Sequence, residues 1–308
     1  MFTLLSNFSE SAPEFSIVVN CRNSERFLMQ CLESIKRQTY PNYEVIIWDN
    51  RSTDRTFQIA SEFRDSDNRF LVFQGETPLK LGEARNLAIQ KARGRFIAFL
   101  DSDDLWDPNY LADHVKVLQN ANQNMFGIGN VVEIDSKFTL TGSDTPLEYL
   151  GNSTTPKIIF RKLLKGNTIY FSSLVVPHAY FKQHSGFNPD FTQAEDYELL
   201  LRVSQEMKCY KIGLVYYRIH EGNATNAQQE ELLRESLQIL KLYTGYFWGW
   251  ISYKLIAARY FLYLDGPSFG KRLEKLKELH IRNADLLIGA IILSAVTIRS
   301  EFVGKKKS

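Results

Sequence analysis

Four short β-rich runs, FSIVV, EVIIW, RFLVF and RFIAFL, alternate with three segments carrying apolar residues at helical spacing, FLMQCLESIKRQ, DRTFQIASEF and LGEARNLAIQKA. This succession, from Phe15 to Leu100, constrains the fold more than any other feature. Each helix returns the chain to the same end of the sheet, so the strands run parallel and helices cover both faces. Such sheets bind ligands beyond the C-terminal ends of their strands. The polar clusters fall at those ends: NCRNSE after the first strand, DNRSTD after the second and DSDD after the fourth.

From Met125 to Tyr217 the pattern is less regular. FGIGNVVEI and TIYFSSLVV are predicted as strands, FTQAEDYELLLRVSQ as a helix, and KCYKIGLVYYRIH as a last strand ending in polar residues. Composition shifts after about Asn226. QQEELLRESLQILKLY has the pattern of an amphipathic helix. YFWGWISYKLIAARYFLYL is unusually aromatic and contains Lys254 and Arg259, GPSFGKRLEKLKELHIRN is helical and basic, and ADLLIGAIILSAVTI is apolar. The expected organisation is a flexible N-terminus (1–14), an α/β domain (15–226) and a helical C-terminal extension (227–308).

Charge and cysteine usage exclude some function classes. Lys+Arg number 37 against Asp+Glu 35, without the basic excess of a dedicated nucleic-acid binder, so no nucleic-acid partner is expected. Cys21, Cys31 and Cys209 have spacings that fit neither a zinc site nor a disulfide framework, which suits a reducing compartment. MFTLLSNFSESAPEF lacks the basic region and long apolar core of a signal peptide. A cytoplasmic location is expected.

FIAFLDSDDLW ends an apolar run by placing Asp101, Asp103 and Asp104 within four residues. Like charges this close repel, and each loses hydration if the turn packs. A divalent cation is the natural compensation, and Mg²⁺ or Mn²⁺ prefers carboxylate oxygens. Asp101 and Asp103 are two residues apart, so both can face one side at a strand end. Thr192 and Glu195 fit a T-x-x-E capping box, which leaves Asp196 unexplained. Glu198 and Arg202 are spaced to pair along a helix. Ser52, Thr53 and Asp54 are good helix N-caps, and for Ser52 and Thr53 capping is the expected role.

SIVVNCRNSERFLMQCLESIKRQTYPNYEVIIWDNRSTDRT resembles the opening of the inverting family-two glycosyltransferases. GEARNLAIQKARGRFIAFLDSDDLWDPNYL resembles their donor and metal segment, and EDYELLLR their acceptor-side helix. The motifs occur in order over roughly Phe15 to Asn226, and the last third of the chain lies outside the resemblance. The specific signature is a D-x-D preceded by an apolar strand and followed by a Trp-x-Pro turn.

The resemblance implies the GT-A fold: a Rossmann-like, mostly parallel sheet flanked by helices, here with an α-helical extension. It implies that Asp103 binds Mn²⁺ or Mg²⁺ and that Asp101 reaches the donor ribose or the metal, while Asp104 is expected to cap the next turn. His220, after YYRI, is placed near the metal or pyrophosphate, with an exposed loop histidine as the alternative. Asp49 and Asn50 are implied in nucleoside contact. Many members of the family carry a second aspartate where this chain has Asn50, and an amide both donates and accepts, so UDP and dTDP donors both remain open. Asn20 and Arg22 are placed where the family cradles the base. Arg85 is a partner for nucleotide phosphate or the nearby carboxylates, or else pairs with Glu83 on the surface. Asp196 is implied as the base that takes the acceptor hydroxyl proton.

The function expected is metal-dependent, inverting transfer of a sugar from a nucleotide diphosphate donor to a hydroxyl of a glycan or lipid-linked acceptor, in cell-surface polysaccharide synthesis. A sugar-phosphate nucleotidyltransferase would instead need a glycine-rich basic loop after the first strand, and NCRNSE is neither. A non-catalytic nucleotide-sugar-binding module would have lost the D-x-D or the ED pair. For the C-terminal third three readings stand. Leu242 to Leu264 and Lys305 to Lys307 suit the anionic inner face of the cell membrane. A helical hairpin packed on the catalytic domain or in a homo-oligomer is the second. A span is the third, disfavoured by Lys254 and Arg259 and by the short run Leu286 to Ile298 against a hydrocarbon core of about 30 Å.

Overall fold

The computed structural model describes residues 12–118, 124–142, 153–223, 229–263 and 285. In chain order the elements are β1 (Phe15–Cys21), α1 (Leu28–Lys36), β2 (Tyr43–Asp49), α2 (Thr56–Ser66), β3 (Phe70–Gln74), α3 (Leu81–Lys91) and β4 (Phe96–Phe99). Then come β5 (Leu105–Trp106), α4 (Tyr110–Leu118), β6 (Met125–Ile134), β7 (Leu140–Gly142), β8 (Ser153–Thr154), α5 (Pro156–Leu163), β9 (Val175–Pro177) and α6 (His178–Gln183). The last are α7 (Glu195–Glu206), β10 (Lys208–Arg218), α8 (Gln229–Leu242) and α9 (Phe247–Tyr263).

The chain forms two compact units. The first comprises residues 1–153, 169–187 and 207–219, and contains the sheet, in the order β3-β2-β1-β4-β9-β6-β10-β5. β1 to β4 are mutually parallel, as the alternating pattern predicts, while β9 runs antiparallel to both β4 and β6. β6 and β10 return to parallel pairing, and β5 closes the edge antiparallel to β10. β2 is buried at every position and β1 at all but Asn20, the continuous apolar character of strands covered on both faces. α1 turns Leu28, Cys31, Leu32 and Ile35 inward, the i, i+3, i+4, i+7 stripe of an amphipathic helix. The register pairs Asn20 with Trp48, Cys21 with Asp49, and Asp49 with Gln74, so these strands end level with one another.

TIYFSSLVV is not one strand. It forms a 3₁₀ turn over Phe171–Ser173 and then the three-residue β9. Ser173 closes the turn with both its amide and its hydroxyl on the carbonyl of Tyr170, at 3.0 and 2.7 Å. Serine competing for backbone groups in this way interrupts a ladder.

The second unit comprises residues 154–168, 188–206 and 220–308. In it the Tyr197 hydroxyl donates to the carbonyl of Leu163, 2.7 Å, tying α7 to α5. Lys254, inside the aromatic helix α9, is buried and paired with Asp285. Among the described residues no helix is long and apolar enough to cross a membrane. Leu286 to Ile298 and Lys305 to Lys307 lie outside the described residues, as does the side chain of Arg259.

Candidate active site

The acidic turn after β4 is held from behind. Asp104 is 1% exposed; it accepts the Arg218 amide at 2.7 Å and the Ser172 hydroxyl. The expectation that Asp104 caps the following turn is therefore corrected: its carboxylate points inward, toward β10 and the 3₁₀ turn. Burial pushes its carboxyl well above the usual range, and the neighbouring charges of Asp103 and Asp101 push the same way. The Arg218 guanidinium donates to the Asp103 carbonyl at 2.8 Å and to the Gln30 side chain at 2.7 Å, and lies 4.5 Å from the Phe27 ring. The amide of Asp101 donates to Ser172 Oγ at 3.1 Å.

With its backbone fixed, the turn presents Asp101 and Asp103. The Asp101 side chain is 36% exposed, whereas Arg85, which donates to it at 3.0 Å, is 4% exposed. Burial raises the Asp101 carboxyl, Arg85 opposes the rise and Asp103 adds to it. The Arg85 guanidinium sits 3.7 Å above the Phe171 ring and 5.4 Å from Phe187. The Glu83 alternative is set aside, since Glu83 accepts the Lys80 amide at the start of α3. Asn86, next on the helix, brackets the main chain of Phe187 with two 2.8 Å bonds. A Cβ on Gly186 would fall 2.1 Å from the Asn86 side-chain oxygen, so a larger residue there would displace the Asn86 amide from Phe187.

Asp49 is fully buried and accepts Gln74 Nε2 at 2.7 Å and the amide and hydroxyl of Ser52. The Asn50 amide brackets the main chain of Leu79, donating at 2.8 Å and accepting at 2.9 Å. Ser52 and Thr53 do not cap α2, which begins at Thr56; instead they bind Asn23. Asn23 and Arg51 both adopt left-handed backbone, φ 51° and 62°, a conformation that costs energy for a side-chain-bearing residue, and the cross-loop bonds hold Asn23 in it. Arg22 is exposed beside them. The side-chain amide of Asn20 and the indole N–H of Trp48 are buried with no hydrogen-bond partner among the described residues.

In the second unit, Asp196 stands in the first turn of α7 and accepts Asn167 Nδ2 at 3.2 Å. Glu195 is 3% exposed, and Glu198 makes a bidentate pair with Arg202, 2.7 and 2.8 Å. The expected T-x-x-E box is not formed, because Thr192 gives its amide and hydroxyl to Glu235 rather than receiving an amide of the helix. Glu235 of α8, which is fully buried, holds the turn that leads into α7. One of its oxygens accepts the amide and hydroxyl of Thr192, at 2.7 and 2.8 Å; the other accepts the amides of Gln193 and Ala194, at 2.8 and 2.9 Å. His220 also belongs to this unit, and its Nδ1 accepts the Gly222 amide at 3.1 Å.

Among the described residues no cluster of three His, Cys, Asp or Glu could hold a metal ion alone. The turn after β4 nevertheless fits a divalent cation that shares its shell with a ligand. Mg²⁺-type ions are commonly held by one or two carboxylates plus substrate phosphates, and Asp101 and Asp103 are hard oxygen donors two residues apart in one turn.

This fold has counterparts among solved structures. Residues 1–349 of TarS from Staphylococcus aureus, in complex with UDP-GlcNAc, superpose with a TM-score of 0.60 at 22% identity, over 80% of this chain and 71% of that one. The mannosyltransferase PcManGT from Pyrobaculum calidifontis, in complex with GDP-Man and Mn²⁺, gives 0.56 at 17% identity, over 94% and 76%. The architecture is the GT-A fold of glycosyltransferases. The sequence model for glycosyl transferase family 2 matches residues 16–176. The Escherichia coli UDP-Glc:alpha-D-GlcNAc-diphosphoundecaprenol beta-1,3-glucosyltransferase WfaP is 31% identical over 224 residues, 72% of this chain and 83% of its own length. The putative glycosyltransferase EpsH of Bacillus subtilis is 30% identical over 241 residues, 74% and 67%. The chain belongs to glycosyl transferase family 2, and it is a glycosyltransferase.

Trp48, Ser172, Arg218, Asn167 and Glu235 were not picked out as site residues from the sequence. The partners of Ser172, Arg218, Asn167 and Glu235 lie far along the chain, and no local spacing marks them.

Proposed function

We propose that this enzyme transfers a sugar, with inversion, from a nucleotide diphosphate donor to a hydroxyl of a glycan or lipid-linked acceptor in cell-surface polysaccharide synthesis. The observation that carries the reading is the division of labour in the acidic turn. Asp104 is consumed by the fold, while Asp101 and Asp103 are kept at the end of β4. Asp103, with Asp101, would hold Mn²⁺ or Mg²⁺, which supplies charge neutralisation for the departing diphosphate when bound. Arg85 fixes Asp101 and adds positive charge to the same place. The unpartnered Asn20 amide and Trp48 indole, beside Asp49, favour a polar ring against these strand ends, because buried polar groups are seldom left unsatisfied. Arg22 is proposed at the rim of that base site.

Asp196 is proposed as the base. It accepts the acceptor hydroxyl proton as that oxygen bonds to the anomeric carbon; the bond from that carbon to the diphosphate oxygen breaks, and the nucleoside diphosphate leaves with the electron pair. A single displacement inverts the centre. For the base, UDP is favoured over dTDP, since the names of WfaP and the TarS complex both carry UDP. His220 is proposed as a further contact to metal or pyrophosphate. Peripheral association with the inner face of the cell membrane is the location proposed.

The test is transfer by the full chain from UDP-glucose and UDP-GlcNAc to a diphosphoprenol-linked sugar, with Mn²⁺, Mg²⁺ or EDTA. Product of inverted anomeric configuration, lost with EDTA, is expected. Retention of configuration, or full activity with EDTA, would contradict the proposal.

A further inference from the structure

The second unit carries a face that glycosyl transfer does not use. PKIIFRKLLK, which is α5 and the residues after it, contains Lys157, Arg161, Lys162 and Lys165 and no acid. KLYTGYFWGW, joining α8 to α9, adds Lys241 and again no acid. The two stretches meet in space. The Phe160 ring lies 5.5 Å from Tyr243 and 5.1 Å from Tyr246, and Lys165 Nζ is 4.0 Å from the Trp248 ring centre. The same two stretches carry large apolar side chains in solvent: Leu242 is 73% exposed, Phe247 67%, Ile158 48% and Trp250 37%, and the Phe247 ring lies 5.3 Å from that of Trp248 at the junction. Lys157 and Arg161, one helical turn apart, are also exposed.

Exposed apolar residues scattered singly need no explanation, but a contiguous group marks an interaction site. The chemistry here selects the partner. Aromatic residues with a polar or cationic neighbour belong at the level of lipid headgroups. Cations with no acid among them favour an anionic surface, each contributing about fivefold to partitioning.

We infer that this face docks the enzyme on an anionic phospholipid bilayer, with Phe247, Trp248 and Trp250 entering the acyl boundary and Lys157, Arg161 and Lys165 meeting headgroup phosphates. The inference deepens the proposed function by naming the surface through which an enzyme of lipid-linked acceptors reaches them. Its test needs no transfer assay, so it can fail while the transferase reading stands.

The experiment is co-sedimentation and tryptophan emission of the full chain with phosphatidylcholine vesicles and with phosphatidylcholine–phosphatidylglycerol vesicles. Trp48 and Trp106 are buried in the first unit, 7% and 2% exposed, so a blue shift on vesicles reports on Trp248 and Trp250. A blue shift with anionic vesicles, reversed by salt, is expected. Lys157→Glu with Arg161→Glu should lower anionic binding about tenfold or more and leave melting unchanged. Phe247→Ser should weaken binding to both vesicle types. No blue shift and no sedimentation by the full chain would overturn the inference. So would unchanged binding by both variants, which would move the contact to residues after Tyr263, or a concentration-dependent dimer abolished by the variants, which would make a second copy the occupant.

Discussion

The turn after β4 and the start of α7 solve the same problem differently. Each gathers carboxylates that repel, and each buries some while leaving another partly exposed. In the β4 turn the buried carboxylate, Asp104, belongs to the motif itself and is satisfied by Ser172 and the Arg218 amide. At α7 the principal support is Glu235, contributed by a helix some forty residues further along and accepting four donors. The first cluster is built into the strand ends of its unit; the second depends on the helices that follow the α/β domain. A chain ending near Asn226 would therefore lose the support of the turn that leads into the ED pair, and α8 is part of what positions the proposed base.

The largest effect expected is from Asp103→Asn. Transfer should fall by roughly three decades or more, with circular dichroism and melting unchanged, measured by turnover with saturating UDP-sugar and Mn²⁺. Asp196→Asn keeps the size of the side chain but cannot take a proton, and turnover should fall by roughly two to four decades. The comparison sharpens at Glu235→Ala. Removing this buried acceptor strands three amides and a hydroxyl, a loss of about 2–4 kcal/mol of stability. If Glu235 positions Asp196 through the entering turn, turnover should drop while donor affinity is kept, and Glu235→Gln should recover part of both. A Glu235→Ala enzyme that melts lower but turns over normally would reduce Glu235 to a purely structural role. The smallest effect is expected at Asn50→Ala. It removes the two bonds to the Leu79 main chain and should cost about 1–2 kcal/mol, read by chemical denaturation.

Much of this was legible in the sequence, for physical reasons that can be named. Strands covered on both faces read as unbroken apolar runs, so β1, β2 and β4 could be placed, and the alternation with helices placed the edge strand β3 and the acidic turn at a strand end. The Glu198–Arg202 pair could also be read, because its partners are one helical turn apart. What was not legible depends on contacts between distant residues. Periodicity marks Glu235 as a position on an amphipathic helix but does not say which helix start it faces. Asp104 looked like a local cap because its partners, Ser172 and Arg218, are supplied by segments whose own patterns are those of ordinary strands. The T-x-x-E spacing at Thr192 is a true local signal outcompeted by a buried carboxylate with four donors to satisfy. TIYFSSLVV failed as a strand because two serines took backbone partners of their own.

The most direct test of the division of labour is calorimetric titration of UDP, with and without Mn²⁺, into the native enzyme and its Asp103→Asn and Asp196→Asn forms. Both variants are expected to be inactive, yet for different reasons. Manganese-dependent UDP binding should vanish in Asp103→Asn and persist at native strength in Asp196→Asn. Equal loss of binding in both, or manganese-dependent binding that survives in Asp103→Asn, would contradict the assignment of the two clusters to donor and acceptor chemistry.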